Sequence, residues 1–155
     1  MTVMKKRGTR FDELDVAIIC WMQRHGLRFL RYSLGIIFIW FGILKPFGLS
    51  PAIELVTRTV YWFPPQVFVP LLGWWEVTIG ICLLYKPLIR IGILLMVPQM
   101  IGTFLPLILL PQVVYDGSFF ALTLEGQYIV KNLVLLAAAL VIGSHVRDRK
   151  RTKNK

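Results

Sequence analysis

Glu76, Gln99, Lys131 and Asn132 stand inside otherwise apolar runs of a 155-residue chain, and Lys45 closes another such run. A charged group at hydrocarbon depth costs ~2.5–3.5 kcal/mol on insertion scales, so it tends to face other protein and to find a partner. Counting along its run puts Glu76 ~14 Å deep at ~1.5 Å per residue, near the bilayer midplane. Gln99 falls at a similar level, and Lys45, Lys131 and Asn132 fall nearer the outer surface. With Trp40, Trp74 and Trp75 close by in sequence, the set describes a polar pocket open to the outer leaflet. A quinone head group, a small oxidant or a small anion could bind there. Glu76 could carry a proton, because burial disfavours a charged carboxylate. Lys45 and Lys131 could hold an anionic or carbonyl oxygen. The same residues admit a plainer role. Glu76 could pair with Lys131 or Gln99 to fix helix register. Lys45 and Lys131 could snorkel to the outer surface, and Gln99 and Asn132 could make helix-to-helix hydrogen bonds.

Four apolar runs must position these groups: 27–44, 67–84, 88–110 and 128–146. Each approaches the ~20 residues that span ~30 Å of hydrocarbon as a helix. Backbone groups in lipid must be bonded within the segment, so the runs are expected to be helices, and their continuous apolarity argues against a barrel. Composition agrees. The chain is 56% hydrophobic and 17% charged, against about 45–50% and about 25% in soluble domains. The expected fold is an all-α integral membrane four-helix bundle. Gly35 and Gly42, and Gly73 and Gly80, are each seven residues apart and mark small faces for close helix contact. Pro98 and Pro106 are expected to bend the third span.

Charge sets the expected orientation. Residues 1–31 carry seven Lys and Arg, the tail after Ser144 carries six, and Lys86 and Arg90 flank the tight turn between the second and third spans. The first long loop holds Lys45 and Arg58, and residues 111–127 hold none. Both termini are therefore expected in the cytoplasm. The first run follows a long charged segment and precedes no small-residue cleavage site, so it is expected to stay in the mature protein.

Residues 1–26 read as a basic cytoplasmic segment. Within it, Phe11, Leu14, Ile18 and Trp21 recur at helical spacing. They fit either an amphipathic helix on the membrane surface or an extension of the first span. Ser50-Pro51 followed by Ile53, Val56 and Val60 predicts a short interfacial helix. Tyr115-Asp116-Gly117-Ser118 predicts a turn. The basic tail 147–155 follows a membrane span, so anionic lipid, not nucleic acid, is its expected partner.

Several chemistries lack their residues. His25 and His145 lie at the expected cytoplasmic rim, away from any mid-membrane haem site, and make a weak case for a metal. Cys20 and Cys82 form no C-x-x-C pair. There is no phosphate loop and no dinucleotide fingerprint. Alone, the chain could bind a quinone but has no evident means of reducing it, so catalytic residues are not assigned.

RYSLGIIFIWFGILK on the first span, GWWEVTIGICLLYKP on the second and EGQYIVKNLVLLAAALVIG entering the fourth resemble the DoxX-like membrane proteins. They are most similar to the branch that includes reactive-chlorine resistance membrane proteins. The resemblance covers residues 31–143, with Trp40-Phe41-Gly42, Lys45, Glu76, Gly80, Lys131 and Asn132 in order. Its first outer loop and tail are shorter than the family's. It implies a four-helix bundle in a bacterial inner membrane, linked to oxidative stress or sulfur oxidation. The expected role is a quinone-binding or anchoring subunit beside a partner redox protein, or in a homo-oligomer, with no covalent cofactor. The alternatives are a non-catalytic scaffold and, less favoured, a small-solute carrier.

Overall fold

The computed structural model describes residues 10–146. Residues 1–9 and the basic tail 147–155 lie outside the described part. The chain is all-α, with helices α1 (Arg10–Leu44), α2 (Ile53–Thr59), α3 (Pro65–Leu84), α4 (Ile89–Phe104), α5 (Pro106–Leu109), α6 (Pro111–Val114) and α7 (Leu124–His145). A 3-10 turn, Lys86–Leu88, joins α3 to α4. Among the described residues, four helical segments are long and apolar enough to cross a membrane: Phe11–Leu44, Pro65–Leu84, Lys86–Leu109 and Leu124–His145. They pack in a ring, α1 on α3, α3 on α4, α4 on α7 and α7 back on α1. The result is an up-down-up-down bundle with both described chain ends at one end, here the terminal end. The linking segments α2, α5 and α6 lie at the other, here the loop end.

The interior holds Leu34 and Phe38 of α1, Ile79 and Leu83 of α3, Met96 and Met100 of α4, and Ala138, Ala139 and Ile142 of α7. The outward faces are equally apolar. Leu71, Trp74, Leu94, Ile101, Val134 and Leu140 are all exposed. An aqueous protein rarely leaves so large an apolar surface open, whereas hydrocarbon solvates it. The chain is thus a multi-pass membrane protein.

Lipid gives helices no hydrophobic reason to associate, so contact rests on close packing. Here the two glycine pairs meet each other. A Cβ on Gly42 would stand 2.7 Å from the Gly73 carbonyl oxygen, and one on Gly73 would stand 2.6 Å from that of Gly42. One turn-pair further along, a Cβ on Gly80 would stand 2.6 Å from the Gly35 carbonyl oxygen. These contacts set α1 and α3 antiparallel with Gly42 beside Gly73 and Gly35 beside Gly80.

That register leaves much of α1 beyond the end of α3. At ~1.5 Å per residue the 35 residues of α1 run ~52 Å, well past a ~30 Å hydrocarbon core. Residues 10–25 are helical, as their spacing predicts, and continue into the first span without a break. Phe11, Leu14, Ile18 and Trp21 are exposed along this extension.

The third span is interrupted where proline demands it. Pro98 stays within α4, while Pro106 opens the separate turn α5 after a break at Leu105. The interfacial helix after Ser50-Pro51 forms as α2. Gly117, at φ +71°, makes the expected turn, closed by Asp116 N–H donating to the Ala121 carbonyl at 2.7 Å. Thr123 then caps α7 by accepting from Gly126 N–H at 3.2 Å.

Replacing Gly42 or Gly73 with valine should lower bundle stability by ~1–3 kcal/mol, the usual cost of overpacking. Gly102, with open space around it, should accept alanine almost without change. Unfolding of the three variants in mixed detergent micelles measures both.

Candidate functional site

The glycine register also delivers the polar groups. Lys45 follows Gly42 by three residues and Glu76 follows Gly73 by three. Because the helices are antiparallel, the two side chains start on the shared face and are separated along the axis by ~9 Å, six residues at ~1.5 Å each. The lysine spans that gap. α1 ends at Leu44, Pro46 blocks its continuation, and Gly48 at φ +72° turns the chain away. Lys45 is left to run back down α3. Its Cβ passes so close to Gly73 that a Cβ there would stand 2.9 Å away.

At the bottom of that path the Lys45 ammonium donates to Glu76 Oε2. Gln99 of α4 donates through Nε2 to Glu76 Oε1 at 2.6 Å. Lys45, Glu76 and Gln99 are 6%, 8% and 8% exposed. A single carboxylate therefore ties α1, α3 and α4 together inside the bundle, with both of its oxygens engaged.

Trp75 works beside this cluster. Its indole N–H donates to the Leu95 carbonyl at 3.2 Å. Leu95 sits in the turn before Pro98, which lacks an N–H and crowds the carbonyls preceding it. A neighbouring helix thus supplies a donor where proline disturbs the ladder, as membrane helices often require.

The other candidates lie apart. Lys131 is exposed, its ammonium 5.2 Å from the centroid of the Tyr128 ring. Asn132 donates to the carbonyl of Tyr128 on its own helix at 3.2 Å. Trp40 is 65% exposed. Of the two partners weighed for Glu76 from sequence, Gln99 makes the contact and Lys131 does not. The lysine that does is Lys45, for which the sequence leaves both an oxygen-holding role and outward snorkelling open. The signal for it was present: matched offsets of three residues from Gly42 and Gly73.

One further group was read only as a topological charge. Arg31 is buried, with its Cζ 4.7 Å from the centroid of the Tyr32 ring.

The arrangement can hold a charge pair out of water and can offer spare donors. An ammonium has three N–H groups and a carboxamide has two; the cluster engages one of each. Losing one partner of a buried pair typically costs ~3–5 kcal/mol, because the other charge is stranded. Lys45→Met should therefore destabilise the bundle more than the double variant Lys45→Met, Glu76→Gln. A double-mutant cycle should return a coupling of ~1–3 kcal/mol. A coupling near zero would show that the pair does not form in the bilayer.

Comparison of the chain with protein-family models, with curated proteins and with solved structures finds no match; the case for what the cluster does is carried by its own side chains.

Proposed function

We propose that the chain is a membrane subunit of a redox or oxidative-stress system, and that its Lys45–Glu76–Gln99 cluster takes the head group of a quinone. The observation that carries this reading is the cluster itself: an ion pair held within the apolar bundle, with donors to spare. Ionisable groups in such positions usually mark a ligand or proton path. A quinone carbonyl accepts hydrogen bonds, which the remaining N–H groups of Lys45 and Gln99 could donate. Reduction to the quinol takes two electrons and two protons. Glu76 could relay protons, while the electrons would come from a partner protein. The resemblance to DoxX-like proteins supports the same assignment and a bacterial inner membrane.

A second reading has its own observation. Both Glu76 oxygens are already engaged from within the chain, which is what a register pin needs and no more. On this reading the protein is a scaffold that anchors an assembly partner.

Charge placement supports cytoplasmic termini. Arg24, Arg28, Lys86 and Arg90 are exposed at the terminal end. At the loop end, Lys45 is paired with Glu76 and Arg58 with Glu54 at 2.6 Å.

Titration of the purified chain with a short-chain ubiquinone analogue, followed by native mass spectrometry, separates the two functions. Saturable binding that weakens about tenfold in Lys45→Met, the loss of one good hydrogen bond from a charged group, supports the quinone site. No binding, with Lys45→Met lowering only the unfolding midpoint, supports the scaffold.

In intact cells, an impermeant maleimide should label Ser118→Cys in a Cys20→Ser, Cys82→Ala background. It should leave native Cys20, exposed on the α1 extension, unlabelled until the membrane is opened. The reverse pattern would place the termini outside.

A further inference from the structure

We propose that Arg31 is the centre of an oxyanion site at the terminal end of the bundle, and that it takes a phosphate group. Arg31 is 6% exposed. Its Nε and Nη2 are shielded and have no hydrogen-bond partner, and among the described side chains they are the buried nitrogen or oxygen atoms left in that state. These two atoms form one edge of the guanidinium. That edge grips phosphate or carboxylate through two parallel N–H···O bonds. The Tyr32 ring centroid lies 4.7 Å from Arg31 Cζ, and the ring supplies no acceptor to the edge.

Among the described residues no carboxylate lies at this level. Asp12, Glu13 and Asp15 precede Arg31 by sixteen residues or more, at least ~24 Å along the helix. Glu76 is engaged with Lys45 and Gln99. The exposed neighbours at this end, Arg28, Lys86 and Arg90, are all basic. The described part of the chain thus supplies no anion to this edge.

Position identifies its chemistry. A Cβ on Gly35 would stand 2.8 Å from Leu84 Cδ2, and Arg31 lies one turn further toward the terminal end. It is level with the end of α3, whose twenty residues measure ~30 Å, the thickness of the hydrocarbon core. Arg31 thus sits at the depth of lipid phosphates. The same edge would take free phosphate, and the two sources are separable. Because the edge is closed from solvent, filling it requires the side chains over it to part. That distinguishes a built site from the diffuse attraction felt at exposed Arg28.

The test uses the full chain in a neutral, sugar-headed detergent. Phosphatidylglycerol, diacylglycerol with the same acyl chains, and inorganic phosphate are added separately, and bound ligand and unfolding midpoint are followed. Phosphatidylglycerol should bind saturably, and Arg31→Met should weaken it about tenfold, as expected for lost charge-assisted hydrogen bonds. Arg28→Gln should change it less than twofold. Binding of phosphatidylglycerol without diacylglycerol or free phosphate assigns a headgroup. Equal, Arg31-dependent protection by inorganic phosphate assigns a soluble anion to the same site. Phosphate binding that ignores Arg31→Met, or that falls as far in Arg28→Gln, overturns the proposal. Should Arg31→Met fail to fold, Arg31→Lys keeps the charge and loses the two-atom edge; binding equal to wild type in that variant also overturns it.

Discussion

The close contact of α1 with α3 is the constraint on which the rest of this bundle depends. Two helices in hydrocarbon gain nothing by hiding leucine from lipid, since lipid is as apolar as leucine. They gain by approaching until backbone atoms touch. Gly35, Gly42, Gly73 and Gly80 permit that approach, and the carbonyl of one helix occupies the space a side chain would fill on the other. Such a contact is selective as well as attractive. A slip of one residue would turn each glycine ~100° away from its partner and bring a branched side chain against a carbonyl. The contact therefore fixes the axial register of α1 on α3.

The buried ion pair inherits its geometry from this register. Lys45 and Glu76 lie at matched distances from a glycine pair, so the contact that sets Gly42 on Gly73 also aims both side chains into one space. Removing two charges from water is expensive, and their attraction often only offsets that cost. The pair is therefore better understood as specifying an arrangement than as supplying net stability. Its hydrogen bond to Gln99 carries the specification to α4, where Gly92 already lies close to Cys82 and Leu83 of α3. Helix α7 stands outside this polar linkage. It joins through Ala138, Ala139 and Ile142 in the apolar core and through its Thr123 cap against Val113 and Val114.

Much of this was legible in the sequence because one-dimensional signals control it. Run length located the spans, proline and glycine located the turns, and glycine spacing marked the contact faces. The identity of the lysine beside Glu76 was not legible from depth alone. Lys45 and Lys131 both lie about six residues from Glu76 along the membrane normal. Depth counting measures height and is blind to which way a residue faces around its helix. Only the glycine offsets carry that angular information for Lys45, and nothing comparable exists near Lys131. The continuity of α1 was open for a related reason. Gly26 is the sole breaker between Ile19 and Leu27, and with open space about it a single glycine costs only ~1 kcal/mol in a helix. That is too little to end one whose downstream turns are held by α3.

Lys45 and Arg31 make the two ends of the α1–α3 contact electrostatically unlike. Both extend from the α1 face that meets α3, one three residues past Gly42 and the other four residues before Gly35. Both are buried. At the loop end, α3 supplies Glu76, and the cation is neutralised from within. At the terminal end, α3 runs out at Leu84 and supplies nothing of opposite sign, so the cation has a shielded donor edge with no acceptor. Sequence statistics of loop charge would treat the two as equivalent positive residues. Burial separates them: an exposed arginine is satisfied by water and a buried one is not. Among the described residues, the buried cation is thus paired at one end and left with an unpaired donor edge at the other. Completion by a phosphate at headgroup depth would tie the α1–α3 pair to one leaflet, in addition to the bias exerted by exposed Arg28, Lys86 and Arg90.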